Sequence, residues 1–411
     1  MSLNALKVIT LLLVVPIFFQ ISPPALSPPY EFKHENNVIN FGALFLLLLT
    51  LYRAPQIIFS QSVSVLSDKR VFMMLFYIML TFVSLIAGLI TSLFIVGIEV
   101  SYVDFVQALV FPFTFIIFLS LLQHSNYLDI ESLLFFLIFV FGILNFIYVF
   151  QTLMGVAPNS FYSIVVDHIG PFNNFKIKRF YPSALSVILL LQIFYLFLNK
   201  NFFKKLIVFI FLISTIILIG GTWGRSAPVT IFFGLSIFIL LTSQTVIFQY
   251  IVTAISALII FLYFFGTAFF ENSFGILRFI ETLGQVGELE SERFRRILLG
   301  IEEGILAPLG YMFIYEGKIS PENGYLDIAT RSGTIGFVIF ILFISYFLRE
   351  LKFVNSIKNE NKLDILYILC CMIMFNNIFL NSFTEPYLSI FSGIVFALTA
   401  RYSYLRSLKN A

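Results

Sequence analysis

Glu322-Asn323-Gly324-Tyr325-Leu326-Asp327-Ile328-Ala329-Thr330-Arg331-Ser332-Gly333-Thr334-Ile335-Gly336 is where a long polar interval gives way to an apolar run. Behind it, from about Glu271 onward, the interval holds six cations: Arg278, Arg293, Arg295, Arg296, Lys318 and Arg331. It also holds ten of the chain's 22 acids, in a sequence that is 11% charged overall. Ahead of it, residues 332–349 are apolar and long enough, at ~1.5 Å per residue, to cross most of a bilayer core. Away from this interval the chain is a succession of apolar runs parted by short polar connections. A membrane chain that gathers its charge into one segment is expected to do its chemistry there.

The composition fixes the class. The chain has 411 residues, 59% of them hydrophobic, and a mean hydropathy of +0.98. A soluble domain carries about 25% charged residues, more than twice the share here. The apolar runs are continuous and near twenty residues long, which specifies helices rather than a barrel. The net charge of +3 indicates no nucleic-acid partner, because the cations sit in short clusters between apolar runs and act as topology signals. Cys370 and Cys371 are adjacent inside an apolar run, so no disulfide framework is indicated. With no Asp-x-Asp and no His-rich cluster in the sequence, neither a metal nor another cofactor is expected. The 54 phenylalanines read mainly as lipid-facing bulk.

The expected fold is an all-α polytopic membrane protein with about twelve transmembrane helices. Apolar runs fall at 5–22, 38–57, 71–98, 103–123, 131–152, 183–199, 203–221, 226–243, 248–269, 332–349, 363–381 and 385–404. The first resembles a signal peptide, with Ala25-Leu26-Ser27 behind it, but is read as a retained helix because many spans follow. Pro23–Asn37, with four prolines, is a loop. With the N-terminus inside, inner segments hold fourteen Lys/Arg and outer ones five, leaving out the long acidic loop that crosses regardless of charge. Both termini are then cytoplasmic. Segments 153–182, 220–226 and 270–331 share the outer face, and the last contains short helices. The whole chain, 1–411, is expected to form a single membrane domain, with the loops 153–182 and 270–331 forming the site.

Three outer-face segments carry arginines. In Gly220-Gly221-Thr222-Trp223-Gly224-Arg225-Ser226-Ala227-Pro228, Arg225 lies where one span ends and the next begins. It fits an interfacial anchor beside Trp223 and, equally, a fixed guanidinium for an anionic headgroup, whose oxygens its planar fork matches. Lys176-Ile177-Lys178-Arg179-Phe180-Tyr181-Pro182 is a basic loop end before a span. In Ser291–Arg296, helical spacing puts Arg293 and Arg296 on one face, while Glu292 reaches Arg295 and Arg296 as a surface network would.

The ordered set is more specific than its parts. Arg293 is followed fifteen residues on by Pro308, then Gly310, then Glu322-Asn323-Gly324-Tyr325-Leu326, then Gly333 and Gly336. Over residues 175–336 this resembles the superfamily of O-antigen ligases and Wzy-type O-antigen polymerases. Its members show an Arg, a spacer ending in Pro and Gly, an Asn-x-Tyr-Leu-like box and a Gly-x-x-Gly helix entry. The turn at Arg225 and the Arg179–Pro182 stretch resemble two further family features. The resemblance implies a metal-independent, inverting membrane glycosyltransferase of the bacterial inner membrane, working at its periplasmic face. The implied substrate is an undecaprenyl-pyrophosphate-linked oligosaccharide, and a chain-length regulator protein is the implied partner. The implied reaction joins repeat units into an O-antigen or related surface polysaccharide, within lipopolysaccharide or polysaccharide biosynthesis.

Within that scheme Arg225 and Arg293 face the departing pyrophosphate. Arg179 and Arg296 assist binding, Glu322 is the candidate base, and Asn323 and Tyr325 contact sugar. Glu322 equally fits a solvated loop acid, and Tyr325 a packing residue of the interface. Ligases carry His where this chain has Glu322, which favours the polymerase over the ligase; the Ser of the family's arginine turn is Gly224 here. A transporter or flippase of lipid-linked saccharide is the reading from another class. It fits less well, because transporters carry ionisable groups inside spans and show related halves.

Overall fold

The computed structural model describes residues 7–12, 45–46, 48–49, 52, 69–91, 102–123, 130–153, 181–221, 230–235, 237, 298, 300–305, 308–310, 323–355, 361–378 and 386–410. Among the described residues helix dominates and no strand occurs. The main elements are α1 (Lys69–Ile90), α2 (Tyr102–Gln123), α3 (Ile130–Leu153), α4 (Tyr181–Leu198), α5 (Phe202–Gly221), a π-helical turn (Ile301–Ile305), α6 (Gly324–Asn355), α7 (Asn361–Asn376) and α8 (Pro386–Asn410). Three stretches among them are long and apolar enough to cross a membrane: Phe72–Ile90, Phe202–Ile219 and Gly324–Glu350. The protein is thus helical and suited to a lipid bilayer. The expected runs 5–22, 38–57 and 226–243 lie largely, and 248–269 wholly, outside the described residues.

The chain divides into two compact units. The first comprises Met1–Leu128, Gly287–Asn359 and Asn377–Ala411. Here α1 packs along α6, and α2 along α8. The face of α1 that bears Met74, Ile78 and Leu85 is buried, while Phe72, Phe76, Met79 and Val83 stay exposed. In α6 the spacing of Phe340, Phe343 and Phe347 puts all three on one buried face, and Ile335, Val338 and Leu342 on the exposed one. An exposed face this apolar suits lipid rather than water.

The core of this unit is aromatic. Phe111 meets Phe396 edge-on at 5.7 Å, Phe115 meets Phe343 likewise at 5.7 Å, and Phe347 stacks on Phe396 at 4.7 Å. Phenylalanine therefore does more than fill the lipid face: among the described residues the ten largest fully buried side chains are all Phe. Between helices in lipid, dispersion contacts of this kind replace the hydrophobic drive. Gly393 of α8 lies so close to α2 that an added Cβ would stand 2.7 Å from Thr114 Cβ. Several hydroxyls inside the bundle donate to carbonyls of their own helix, as from Thr81 to Tyr77 at 2.9 Å and from Thr399 to Val395 at 2.6 Å, which meets their hydrogen-bonding need within the helix.

The second unit comprises Asp129–Val286 and Glu360–Asn376. In it α5 packs on α3 and on α4. Asn201 starts α5: its Oδ1 accepts from the backbone N–H of Phe203 at 3.0 Å and of Lys204 at 3.2 Å, the bonds an N-cap makes. The Lys204 ammonium stands 5.4 Å from the centre of the Phe135 ring. Asn145 Nδ2 donates to Thr215 Oγ1 at 3.4 Å, joining α3 to α5. Thr230 donates to Asn376 Oδ1 at 3.2 Å, beside the stacked rings of Phe233 and Phe375.

Candidate functional site

The end of the polar interval is helical. α6 begins at Gly324, eight residues ahead of the apolar run at 332. Asn323 starts it. Its Oδ1 accepts from the N–H of Tyr325 at 3.0 Å and of Leu326 at 3.1 Å, and its carbonyl accepts from Asp327 N–H at 2.9 Å. The N–H of Gly324 donates to the Asn377 carbonyl at 2.8 Å. The donors of the first turn, which in other helices bind phosphate, are thus all occupied. An anionic leaving group placed here would depend on arginine rather than on this helix end.

α6 breaks at Gly333, where φ is 68° and ψ −175°. Glycine alone occupies that region readily. A straight helix would hold residues 325 and 340 about 22 Å apart, yet the rings of Tyr325 and Phe340 are 6.4 Å apart. The chain therefore turns sharply at Gly333, and the stretch Gly324–Glu350 is two limbs, not one span. Tyr325 packs against the second limb through Phe340, in keeping with its packing alternative.

Three backbone segments cross at the break. A Cβ on Gly333 would stand 2.5 Å from the Pro308 carbonyl oxygen and 2.7 Å from Leu309 C. One on Gly310 would stand 2.6 Å from Arg331 C and Thr330 O. One on Gly88 of α1 would fall on the Arg331 carbonyl oxygen. The break frees N–H groups from their helical acceptors, and Ile335 N–H turns to Pro308 O at 3.4 Å. The Thr334 hydroxyl donates to the Ile305 carbonyl. The Pro308-Leu309-Gly310 and Gly333/Gly336 motifs, distant in sequence, thus meet at one place. Gly336 completes the packing, since a Cβ there would stand 2.5 Å from Ser84 Oγ of α1.

An ion pair lies within the first limb. Arg331 Nε stands 3.0 Å from Asp327 Oδ2, one helical turn apart, with both side chains nearly fully buried. Asp four residues ahead of Arg is the favoured order on a helix. The sequence reading counted both among the charges of the outer loop. The structure places them inside the protein, where removing one would take the neighbouring opposite charge from the other.

Of the residues singled out from sequence, Asn323 and Tyr325 are described and share the first turn of α6. Arg179, Arg225, Arg293, Arg296 and Glu322 lie outside the described residues. Sequence reasoning missed Asn377 and the Asp327–Arg331 pair. The pair was legible in its i, i+4 spacing, whereas Asn377 lies inside an expected span and meets Gly324 only in three dimensions. Compared with known proteins, the chain matches no family model, no curated protein and no solved structure.

Proposed function

We propose that the protein is a polymerase of lipid-linked oligosaccharide repeat units. It transfers a growing glycan from undecaprenyl pyrophosphate to the next lipid-linked unit. The acceptor sugar's hydroxyl oxygen attacks the anomeric carbon of the donor, and the bond from that carbon to the pyrophosphate oxygen breaks with inversion. The hydroxyl proton passes to Glu322. The electron pair leaves with the lipid pyrophosphate, whose growing charge Arg225 and Arg293 neutralise. Arg179 and Arg296 hold the donor, and Asn323 fixes the turn that follows Glu322.

The observation that carries this reading is the backbone crossover. It supports treating Pro308, Gly310, Gly333 and Gly336 as parts of one device that holds the Glu-Asn-Gly-Tyr-Leu box, as their order in the sequence suggests. The helix end closed to phosphate supports assigning the leaving group to arginine. The reaction takes place at the periplasmic face of the inner membrane, and a chain-length regulator sets product size.

The test is a gel of the host's surface polysaccharide after deletion of the gene, with complementation by wild type, Arg293→Ala and Glu322→Gln. A single-repeat product in the deletion strain is expected. Losing a fixed donor to the leaving group raises the barrier by about 3–4 kcal/mol, roughly a hundred- to a thousandfold in rate, so Arg293→Ala should not restore the ladder. Full-length chains accumulating on the lipid carrier would indicate the ligase instead. An unchanged ladder would exclude both.

A further inference from the structure

We infer that Asn377 is a saccharide-binding residue, whose carboxamide takes a sugar hydroxyl beside the Glu-Asn-Gly-Tyr-Leu box. The inference rests on the glycosyltransferase reading above. Asn377 follows the last residue of α7 and belongs to the same unit as the box. Its backbone carbonyl accepts from Gly324 N–H at 2.8 Å, which holds it against the first turn of α6. Its side chain lies over Gly324: a Cβ there would fall on Asn377 Oδ1 and stand 2.8 Å from Nδ2. The box therefore carries glycine at 324 because the space a side chain would take is filled by this carboxamide.

The carboxamide is fully buried, yet neither Oδ1 nor Nδ2 finds a hydrogen-bond partner among the described residues. Buried amides are seldom left unmatched, because desolvation is not repaid without a partner. The nearby first-turn donors cannot serve, since each is already bonded. A purely structural Asn at this point would be replaced with gain by an apolar residue of the same size. Retaining one is reasonable where the partner is a ligand.

The chemistry of that ligand follows from the group. A carboxamide offers one acceptor and one donor in a plane and no charge. That suits a hydroxyl, which donates and accepts, better than phosphate, which calls for cations and amide donors. The location fits as well, since Asn377 meets the box itself at Gly324 in the first turn of α6.

The test joins stability to activity in the full-length protein. Asn377→Leu and Asn377→Asp are purified in detergent for thermal unfolding. Each is also expressed in the deletion strain, where the host's own lipid-linked repeat units serve as substrate and ladder intensity is normalised to membrane abundance. The expected result is that Asn377→Leu unfolds at or above the wild-type temperature while the ladder falls roughly tenfold or more. Asn377→Asp, which keeps shape but loses the amide donor and buries an unpaired carboxyl, should unfold well below wild type and also lose ladder. A full ladder from Asn377→Leu overturns the inference. So does a ladder that falls only in proportion to folded protein across both variants, which would mark a structural residue. If deletion itself leaves the ladder intact, the functional reading fails and the saccharide role with it. If deletion abolishes the ladder and Asn377→Leu restores it, only Asn377 is misassigned.

Discussion

Gly333→Ala should be among the most damaging single-methyl additions in this protein, and its cost can be built up from two terms. The residue sits at φ 68°, ψ −175°, where an L-side chain is strained by roughly 1–3 kcal/mol. The new methyl would also stand 2.5 Å from the Pro308 oxygen and 2.7 Å from Leu309 C. Those are backbone atoms, so no rotamer change relieves the overlap. The crossing segments must separate, and the Ile335–Pro308 hydrogen bond at 3.4 Å goes with them, at about 1 kcal/mol. Together these give a loss of about 2–4 kcal/mol before any repacking of the limbs. The assay is thermal unfolding of the purified full chain in detergent, beside Gly393→Ala as a control. At Gly393 a Cβ would press on the Thr114 side chain at 2.7 Å and on Phe115 N at 3.1 Å, a crowded site without a left-handed backbone. Gly333→Ala should lower the midpoint more than the control and also abolish activity. A midpoint equal to wild type, or a smaller loss than at Gly393, would refute the crossover as a close-packed backbone contact.

Two further outcomes follow from the first limb of α6. Arg331→Met should destabilise by about 3–5 kcal/mol, because it takes the opposite charge away from a buried carboxylate, whereas Asp327→Leu with Arg331→Met should recover most of that loss. A double variant as unstable as the sum of the singles would show the pair is not coupled, and a chemical-denaturation cycle measures it. Asn323→Ala should cost about 1 kcal/mol through loss of the helix cap, while Asn323→Asp should keep the cap. Polysaccharide ladders lost in Asn323→Asp at full stability would add a direct substrate contact to the capping role.

The sequence was most informative where periodicity was irrelevant and hydropathy was everything. The run at 103–123 meets α2 at Tyr102–Gln123, and the run at 203–221 meets α5 at Phe202–Gly221. Such runs end where charge or Asn interrupts them, so their limits are set locally. α6 was harder. Its first turn is polar and contains glycine, so hydropathy placed the helix start at 332, although Asn323 supplied a cap signal nine residues earlier. Gly333, read as a helix entry, is where the second limb of α6 begins, after a break from the first. Its φ depends on a partner segment more than twenty residues back, which no local pattern encodes. The candidate site divides in the same way. Asn323 and Tyr325 were placed together by adjacency alone, and Asp327 and Arg331 could have been paired by spacing. Asn377 reaches Gly324 across 53 positions, and nothing within its apolar run distinguishes it from a packing residue.

The crossover at Gly88, Gly310 and Gly333 also predicts how this protein can evolve. A crowded aromatic core such as Phe111, Phe343 and Phe396 has many near-equivalent solutions, because a bulkier residue at one position can be offset by a smaller one beside it. Where main chain meets main chain there is nothing left to trim. A substitution at those glycines has no compensating change among its neighbours, so suppressor selections begun there should return true revertants, whereas selections begun in the aromatic core should return second-site solutions.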